Sequence, residues 1–450
     1  MQGTIILHLV LVGRLRAPAS NSMTTFSRRI LLQSMGVGGA SLALARWLGY
    51  GAELIQQPST ARSVPPFTGP KANPFWNSVG PLVNEPQKAP LILLTDRPVQ
   101  VETPRHYFSS TFTSNTAFYV RWHLDGIPNA VDLKEWRLRV EGNVEKPLTL
   151  SLPDLLTKFH AVSVAAVNQC SGNSRSRFQP RVAGGQWGNG AMGNALWSGV
   201  KLRELLDAAS VKSGSVEVQF QGLETGKGPE GFGSNKFMKS LALDNLVLDQ
   251  CIVAYSMNGE PLPMLNGFPV RLVVPGFFAT YWVKSLSWIR ILDKPDDNFW
   301  MKTAYRIPDT PRGNTTPEDV QAGKVKTVPI NRMPVRSFLI SPDGSTKIPP
   351  GFPVTLRGIA FSGAGRIVKV EVSEDNGRGW RAAKLGEDYG AYSFRTWETS
   401  WTPSRPGAYQ VAVRATDEKG NVQPDEPVWN PGGYLWNRIE RQEIVIGSGA

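Results

Sequence analysis

The chain has 450 residues, of which 41% are hydrophobic and 19% are charged, and its formal net charge is +12. This length is too great for one ordinary core and predicts about two to three domains. The basic residues are dispersed, without a basic helix or an aromatic-basic repeat, so nucleic-acid binding is not favoured. An anionic substrate or an acidic protein partner fits the charge better. The two cysteines, Cys170 and Cys251, give no disulfide framework.

Residues 1–57 predict a leader with a twin-arginine export signal. Arg28 and Arg29 precede an apolar stretch, rich in Gly, Ala and Leu, that reaches Ala45. That stretch is shorter than the ~20 residues that a confident membrane span needs. Because this export route carries folded proteins, we expect a periplasmic protein that already holds a complex cofactor. Met1 and Met23 are alternative starts, and the cleavage site stays open.

Residues 58–328 predict a β-rich domain with few helices, because proline and glycine interrupt the pattern densely. Residues 58–105 are Pro-rich and are expected to wrap over its surface. Apolar residues at Leu202, Leu205, Leu206 and Ala209 have helical spacing and predict a short amphipathic helix. The predicted strands are 117–123, 136–140, 162–167, 216–220, 251–255 and 270–274.

Residues 329–450 predict an Ig-like β-sandwich. Val368, Val370 and Val372 alternate with charged residues, which is typical of a strand with one buried face. Asn376-Gly377 then supplies a hairpin turn. Short strands separated by Gly/Pro turns over roughly 100 residues favour an antiparallel sandwich.

One cysteine stands out because of its surroundings. An apolar, β-branched run at 162–167 leads to Cys170, and a loop of small polar residues then leads to Arg175 and Arg177. A soft thiolate beside fixed positive charge suits a metal that handles an anion. A Cys-His nucleophile with His123 and an inert buried cysteine are also compatible with these residues.

Three other site classes are not supported. The letters at 188–193 fit a dinucleotide fingerprint, but they do not follow a predicted strand within a βαβ unit. No histidine pairs with a cysteine at zinc-ligand spacing, and no nucleophile elbow for a hydrolase is present.

A set of motifs in fixed order resembles the sulfite oxidase family of molybdenum enzymes. The segments are FYVRWH at 118–123, CSGNSR at 170–175, the stretch 187–197, MNGEPLP at 257–263, NGFPVR at 266–271 and WVKSL at 282–286. Within that family the chain looks most like the molybdenum subunit of exported bacterial sulfite dehydrogenases, over about 112–444. The resemblance implies an α+β, β-rich fold: a molybdopterin-binding domain followed by an Ig-like sandwich of the dimerisation type.

The resemblance also implies a molybdenum-molybdopterin cofactor and roles for individual residues. Cys170 would be the single protein ligand of molybdenum, while one pterin dithiolene and oxo groups supply the other ligands. The residues implied on the cofactor side are Cys170, Phe118, Tyr119, Arg121, His123, Ser234, Arg271 and Lys284, with Arg271 and Lys284 at the pterin phosphate. The residues implied around the substrate are Arg121, Arg175, Tyr305, His123 and Trp187, although plain packing is an equal alternative for His123 and Trp187.

The implied activity is oxidation of sulfite to sulfate, with electrons passed to a c-type cytochrome or a haem subunit. No Cys-x-x-Cys-His motif is present, so we expect no haem in this chain and a homodimer or a heterodimer. Alternatives are a sulfane dehydrogenase of thiosulfate oxidation, a sulfoxide reductase of the same fold, and a non-catalytic cytochrome-binding or scaffold protein. Two positions depart from animal members: Asn266 replaces a histidine, and Pro431 replaces an arginine.

Overall fold

The computed structural model describes residues 82, 83, 85, 87–96, 98–227, 235–343 and 348–447. The predicted leader and Ser234 lie outside the described residues. Within them, no helix combines the length and apolar character that crossing a membrane requires.

Strands dominate the chain, and the helices are short. The strands are β1 (Leu82–Val83), β2 (Leu91–Asp96), β3 (Val99–Glu102), β4 (Val120–Arg121), β5 (Leu138–Gly142), β6 (Leu148–Leu150), β7 (Ala161–Gln169), β8 (Met192–Lys201), β9 (Glu217–Thr225), β10 (Lys236–Ala242), β11 (Ile252–Met257), β12 (Glu260–Pro261), β13 (Arg271–Val273), β14 (Leu286–Leu292), β15 (Arg306–Pro308), β16 (Thr327–Pro329), β17 (Arg336–Ser341), β18 (Val354–Phe361), β19 (Ile367–Ser373), β20 (Arg381–Ala382), β21 (Lys384–Leu385), β22 (Arg395–Trp401), β23 (Gly407–Asp417) and β24 (Glu440–Ile446). The α-helices are α1 (Leu152–Thr157), α2 (Leu202–Ala209), α3 (Phe299–Lys302) and α4 (Pro317–Gln321). Short 3-10 segments are Arg105–Ser109, Arg175–Arg177, Leu246–Gln250, Met264–Asn266 and Ala279–Tyr281.

Three sheets build the part of the chain that contains the cysteine loop. Their strand orders are β1-β2-β3-β4, β10-β9-β14-β5-β6 and β12-β11-β8-β7, and β13 also pairs with β11. The β14–β5 pair is parallel, whereas β7, β8 and β11 pair antiparallel. Strand β7 pairs with β8 along its whole length, from Ala161 to Gln169. The last residue of β7 therefore leads directly into Cys170.

The predicted helix is confirmed as α2. Its apolar face is buried through Leu202, Leu205, Leu206 and Ala209, because residues at this spacing lie on one side of a helix. The short helix α1 follows its cap Ser151, whose side chain accepts from the backbone N–H of Asp154 in a capping box.

The predicted strand at 117–123 is wrong in length, since only Val120–Arg121 forms a strand. The backbone N–H of Leu124 donates to the Glu224 carboxylate at 2.6 Å, and the N–H of His123 donates to the same oxygen. A buried side chain thus takes the donors that a neighbouring strand would need, and the ladder ends at Arg121.

The second part of the chain is a two-sheet sandwich, as predicted. Its sheets have strand orders β17-β18-β22-β21 and β20-β19-β23-β24. Val370 and Val372 are buried as expected, but Val368 is 52% exposed. The register of β19 shifts between Ile367 and Lys369, so Ile367 takes the buried place instead. The α+β, β-rich fold class is confirmed.

A buried carboxylate joins the sandwich to the other sheets. Glu440, the first residue of β24, lies 3.2 Å from Arg177, 3.6 Å from Arg336 and 3.8 Å from Arg105. Burial alone would raise the pKa of the Glu440 carboxyl, but the three arginines outweigh burial and lower it. The carboxylate is therefore held ionised inside the protein.

This carboxylate is connected by hydrogen bonds to the cysteine loop. The Asn189 amide donates to both Glu440 oxygens, at 3.0 and 2.8 Å. The Asn189 carbonyl oxygen accepts from the Ser174 hydroxyl at 2.6 Å and from Arg336 at 2.8 Å. Ser174 lies four residues after Cys170, so the sandwich helps to fix the backbone that presents the thiol.

Candidate functional site

A cavity with an empty volume of about 420 Å³ lies where β7 ends. Its size falls in the range of about 300–1,000 Å³ that is usual for ligand and cofactor sites. The lining residues are Tyr119, Arg121, His123, Asn168, Cys170, Ser171, Leu265, Asn266, Arg271, Ala279, Thr280, Lys284 and Tyr305. Seven of the predicted site residues are therefore brought together in one wall, although they come from distant parts of the chain.

Cys170 is held at this wall by its backbone. Its N–H donates to the Ala191 carbonyl at 2.9 Å, and its own carbonyl accepts from Asn173 at 3.0 Å. Ser174 adopts a left-handed conformation, with φ of 66°, which turns the chain back after the thiol. The thiol is free and 8% exposed. Among the described residues, no three His, Cys, Asp or Glu side chains converge as a metal-binding group.

Several buried donors around the cavity have no hydrogen-bond partner in the described part of the chain. These atoms are Nδ2 of Asn168, Oγ of Ser171, Oγ1 of Thr280, Nε of Arg271 and Nη1 of Arg121. Leaving one such group unpaired costs about 1–3 kcal/mol. Five of them in one wall indicate a polar ligand with several acceptor atoms.

The orientation of Asn168 is fixed by Tyr119. The Tyr119 hydroxyl donates to Asn168 Oδ1 at 2.7 Å, which leaves the Asn168 amide N–H groups for the cavity. Phe118 lies behind this pair: its ring stacks on Tyr119 at 5.6 Å and meets Trp197 edge-on at 5.8 Å. Phe118 is thus part of the support for the wall, and Tyr119 is part of the wall itself.

One end of the cavity is strongly cationic. Arg271 lies between Trp197 and Trp282 and donates to the carbonyls of Asn266 and Trp282 at 3.0 and 3.1 Å. Lys284 donates to the Arg121 carbonyl at 2.8 Å. Burial, partly opposed by Glu224, lowers the pKa of Lys284 to about 7, and burial lowers the pKa of Arg271 to about 10. A phosphate would relieve this crowding of positive charge.

Lys88 is a third cation here, and sequence reasoning missed it. Its ammonium group donates to the carbonyls of Asn115 and Phe118, at 2.7 and 3.1 Å, and to Oδ1 of Asn266. Burial, and next the charge of Arg271, lower its pKa to about 7. Lys88 thereby supplies a positive charge close to Asn266, where the animal members carry histidine.

The predicted substrate residues Arg121, His123 and Tyr305 meet on another side of the cavity. Burial alone would lower the pKa of Arg121, but Tyr305, Cys170 and Glu224 outweigh it and raise that pKa. Burial and the nearby cations hold the pKa of His123 well below its usual range, so this imidazole is neutral. The His123 ring stacks on Phe237 with 3.4 Å between centroids.

Glu224 is the carboxylate that faces these cations, and the sequence offered no motif for it. Its Oε2 lies 3.4 Å from Nδ1 of His123. Burial raises its pKa, although Lys284 and backbone hydrogen bonds act in the opposite direction. A glutamate within an ordinary strand pattern carries no local signal for such a role.

Arg175 and Trp187 lie beside the cavity rather than in its lining. The guanidinium of Arg175 donates to the Gly432 carbonyl at 3.1 and 3.0 Å and to the Gly185 carbonyl at 3.1 Å. Trp187 is buried and meets the Tyr119 ring edge-on at 6.5 Å. Their substrate roles stay predictions.

The glycines near 188–190 approach an internal carboxylate. The N–H groups of Gly188 and Gly190 each donate to the Glu102 side chain at 2.8 Å. A side chain at Gly190 would collide with the backbone and side chain of residues 102–103. These backbone donors are therefore occupied within the protein and do not form a dinucleotide site.

A buried thiol, a cationic end and unpaired donors in one cavity fit an anionic pterin whose metal is bound through sulfur. The site and fold therefore define a molybdopterin oxidoreductase. The oxidoreductase molybdopterin binding domain matches residues 123–300, and the Mo-co oxidoreductase dimerisation domain matches residues 327–446.

Known relatives give the family. The chain is 34% identical over 381 residues to sulfite oxidase of Gallus gallus, covering 80% of this chain and 79% of that protein. It is 31% identical to mitochondrial sulfite oxidase of Homo sapiens, covering 84% and 70%. The sulfane dehydrogenase SoxCD from Paracoccus pantotrophus has a similar fold, with a TM-score of 0.67, 24% identity and coverage of 88% and 98%. The chain belongs to the sulfite oxidase family of molybdenum enzymes.

The buried lysines predict how stability depends on pH. The pKa values of Lys88 and Lys284 are about 7 in the folded protein and 10.5 as the ordinary value. Between these values the unfolded chain binds more protons, so protein produced without the pterin should become more stable as pH rises from 7 to 9. A bound phosphate would keep both lysines charged and flatten this dependence. Thermal melting at several pH values, with and without cofactor, measures the difference.

Lys88→Met provides the control for this expectation. The cofactor-free variant should melt at a higher temperature than the wild type at pH 7, and its melting temperature should rise less with pH. A pH dependence equal to that of the wild type would contradict the assignment of the lysine.

Proposed function

We propose that this protein oxidises sulfite to sulfate and passes the electrons to a c-type cytochrome. The observation that carries the proposal is that Arg121, Tyr305 and the Cys170 thiol line the same cavity. The overall conversion consumes one sulfite and one water and releases one sulfate, two protons and two electrons. When bound, the molybdenum centre supplies the oxygen-transfer and two-electron chemistry.

In this proposal Arg121 binds the substrate oxyanion. Its Nη1 has no hydrogen-bond partner among the described residues, so it can donate to a sulfite oxygen. A charge-assisted hydrogen bond of this kind contributes about 1.5–3 kcal/mol. The Tyr305 hydroxyl, also in the lining, donates to the same anion and helps to orient it.

Neutral His123 completes this side of the pocket. Because its pKa lies well below the usual range, His123 adds no second charge at neutral pH. Its ring packs edge-on against Tyr305, with 5.6 Å between centroids, and so limits the positions of the phenol. His123 therefore excludes water and fixes the pocket shape.

Oxidation of a sulfane sulfur is the second candidate function. It is favoured by the engagement of Arg175 with the carbonyls of Gly432 and Gly185. If Arg175 keeps these partners, Arg121 alone supplies a free guanidinium donor in the lining. A substrate with less negative charge than sulfite would then be accommodated.

For partners and location, we propose export by the twin-arginine route and a periplasmic site of action. Support comes from the Arg28-Arg29 pattern. We also propose a dimer formed through the sandwich, in keeping with the dimerisation domain that matches residues 327–446. The electron acceptor would be a separate cytochrome or a haem subunit in a heterodimer.

Sulfite-dependent reduction of cytochrome c tests the proposed function. Purified protein with measured molybdenum and pterin content should reduce cytochrome c with sulfite and should be slower with oxygen. Ferricyanide serves as the acceptor control. Turnover of a persulfide in place of sulfite would favour the second candidate, and protein that lacks both molybdenum and pterin would contradict both.

Paired arginine variants test which guanidinium binds the substrate. Arg121→Gln should raise the KM for sulfite by roughly 10- to 100-fold, which corresponds to loss of one charge-assisted hydrogen bond. Arg175→Gln should weaken sulfite binding less, because its donors already have carbonyl partners. Molybdenum content should stay unchanged in both. A larger effect at Arg175 would show that this side chain, rather than Arg121, is the main anion ligand.

A further inference from the structure

Lys239 is a buried cation that lies beside the substrate pocket. Its side chain belongs to β10 and is 0% exposed. The ammonium group donates to the Trp300 carbonyl at 2.7 Å. It lies 4.8 Å from the centre of the Tyr281 ring and 5.6 Å from the centre of the Tyr305 ring. In the described part of the chain, no ion pair joins Lys239 to a carboxylate.

Tyr305 is held in an uncommon conformation. Its φ of 55° is left-handed, and such a backbone in a bulky residue costs of order 1–3 kcal/mol. The surrounding contacts must therefore fix it: the Tyr305 carbonyl accepts from Ile330 at 2.8 Å, and the ring stacks on Tyr434 at 5.8 Å. The hydroxyl has no hydrogen-bond partner among the described residues, and the side chain lines the cavity.

A cation over a phenol ring has two effects. It attracts the ring by about 0.5–2 kcal/mol, more when both groups are desolvated. It also stabilises negative charge on the phenol oxygen, which makes the O–H a stronger hydrogen-bond donor to an anion. Lys239 is placed to exert both effects on Tyr305, because its ammonium group is fixed by Trp300 and shielded from water.

We propose that Lys239 is a positioning residue for Tyr305, whose hydroxyl it holds and strengthens as a donor to the substrate oxyanion. This inference rests on the proposed oxidation of an oxyanion in the same pocket. Lys239 acts through the ring and does not touch the substrate.

The charged groups around Lys239 set the pH at which its charge is lost. Burial lowers its pKa to about 7, Arg306 lowers it further, and Asp296 and Glu217 oppose this change. His123, across the Tyr305 ring, is neutral and adds no competing charge. The support from Lys239 is therefore present below about pH 7 and decreases above it.

Variants at Lys239 test the proposal through kinetics. Lys239→Met should raise the KM for sulfite about tenfold at pH 6.5, the effect of one moderate hydrogen bond, with molybdenum content unchanged. Lys239→Arg should restore binding. Because arginine keeps its charge, the ratio of its kcat/KM to that of the wild type should rise as pH increases from 6 to 9. Comparing the two enzymes at each pH cancels the ionisation of sulfite itself.

Lys236→Met is the matched control, since it removes the same charge from the same strand. It should leave the KM and the pH profile unchanged. An unchanged KM in Lys239→Met would overturn the proposal. So would a Lys239→Arg variant that retains molybdenum and the wild-type melting temperature but binds as poorly as Lys239→Met.

Titration with inorganic sulfate separates this inference from the proposed activity. Calorimetry should show about tenfold weaker sulfate binding by Lys239→Met than by the wild type, whether or not sulfite is oxidised. Absence of sulfite oxidation with this binding difference would contradict only the proposed function. Equal sulfate affinities, or no sulfate binding by the wild type, would overturn the role of Lys239 even if sulfite is oxidised.

Discussion

Cys170→Ser should abolish sulfite turnover while the protein stays folded and retains the pterin. We expect a loss of more than about 100-fold, since changing groups that only support a metal ligand already costs 10- to 100-fold. A serine hydroxyl is a harder and less acidic ligand than a thiol, so it suits molybdenum poorly. The backbone of the loop should be unaffected, because the hydrogen bonds at Cys170 that hold it come from its N–H and carbonyl. Steady-state turnover normalised to pterin content measures the effect.

Cys251→Ser is the matched control for this substitution. Cys251 is also buried and free, but its thiol donates to the Val247 carbonyl at 3.2 Å, and burial raises its pKa. It does not line the cavity. This variant should keep its molybdenum and its turnover. Full turnover in Cys170→Ser, or equal losses in both variants, would refute the assignment of Cys170 as the ligand.

Glu440→Gln should destabilise the protein more than any other single change considered so far. It leaves the guanidinium groups of Arg105, Arg177 and Arg336 without the carboxylate that lies between them. Breaking a buried ion pair by removing one partner costs about 3–5 kcal/mol. We also expect lower turnover in the folded fraction, because Asn189 links Glu440 to Ser174 in the cysteine loop. Denaturant unfolding and turnover per molybdenum measure the two effects.

Glu443→Gln on the same strand controls for the substitution itself. Glu443 is exposed and accepts from Gln410 at 3.0 Å. Its loss should change the unfolding free energy by less than about 1 kcal/mol, as for surface pairs. If Glu440→Gln were as stable as Glu443→Gln, the buried carboxylate would not be what fastens the sandwich to the loop.

Local patterns in the sequence were sufficient for much of the fold. Helix α2 follows from the spacing of its leucines, and the approach of β7 to Cys170 follows from a β-branched run that ends in small polar residues. The pattern at Val368 failed because one extra residue in a strand reverses which side chains are buried. No local feature of 367–369 signals that shift.

The missing parts of the site depend on contacts between distant residues. Lys88 and Asn266 are 178 positions apart, and Asn189 and Glu440 are 251 apart. Each residue alone resembles an ordinary surface lysine, asparagine or glutamate, so its burial is visible only in the folded chain. The same applies to Arg175, whose carbonyl partner Gly432 is 257 positions away. A motif can identify a side chain type, but it cannot show which partners already occupy its donors.

The most direct test of the molybdenum site is the number of sulfur ligands on the metal, measured by X-ray absorption at the molybdenum edge. The site predicts three sulfurs in the wild type, two from the pterin and one from Cys170, and two in Cys170→Ser. Cys251→Ser should match the wild type. Equal sulfur counts in the wild type and Cys170→Ser would contradict the conclusion that the thiol at the end of β7 holds the metal.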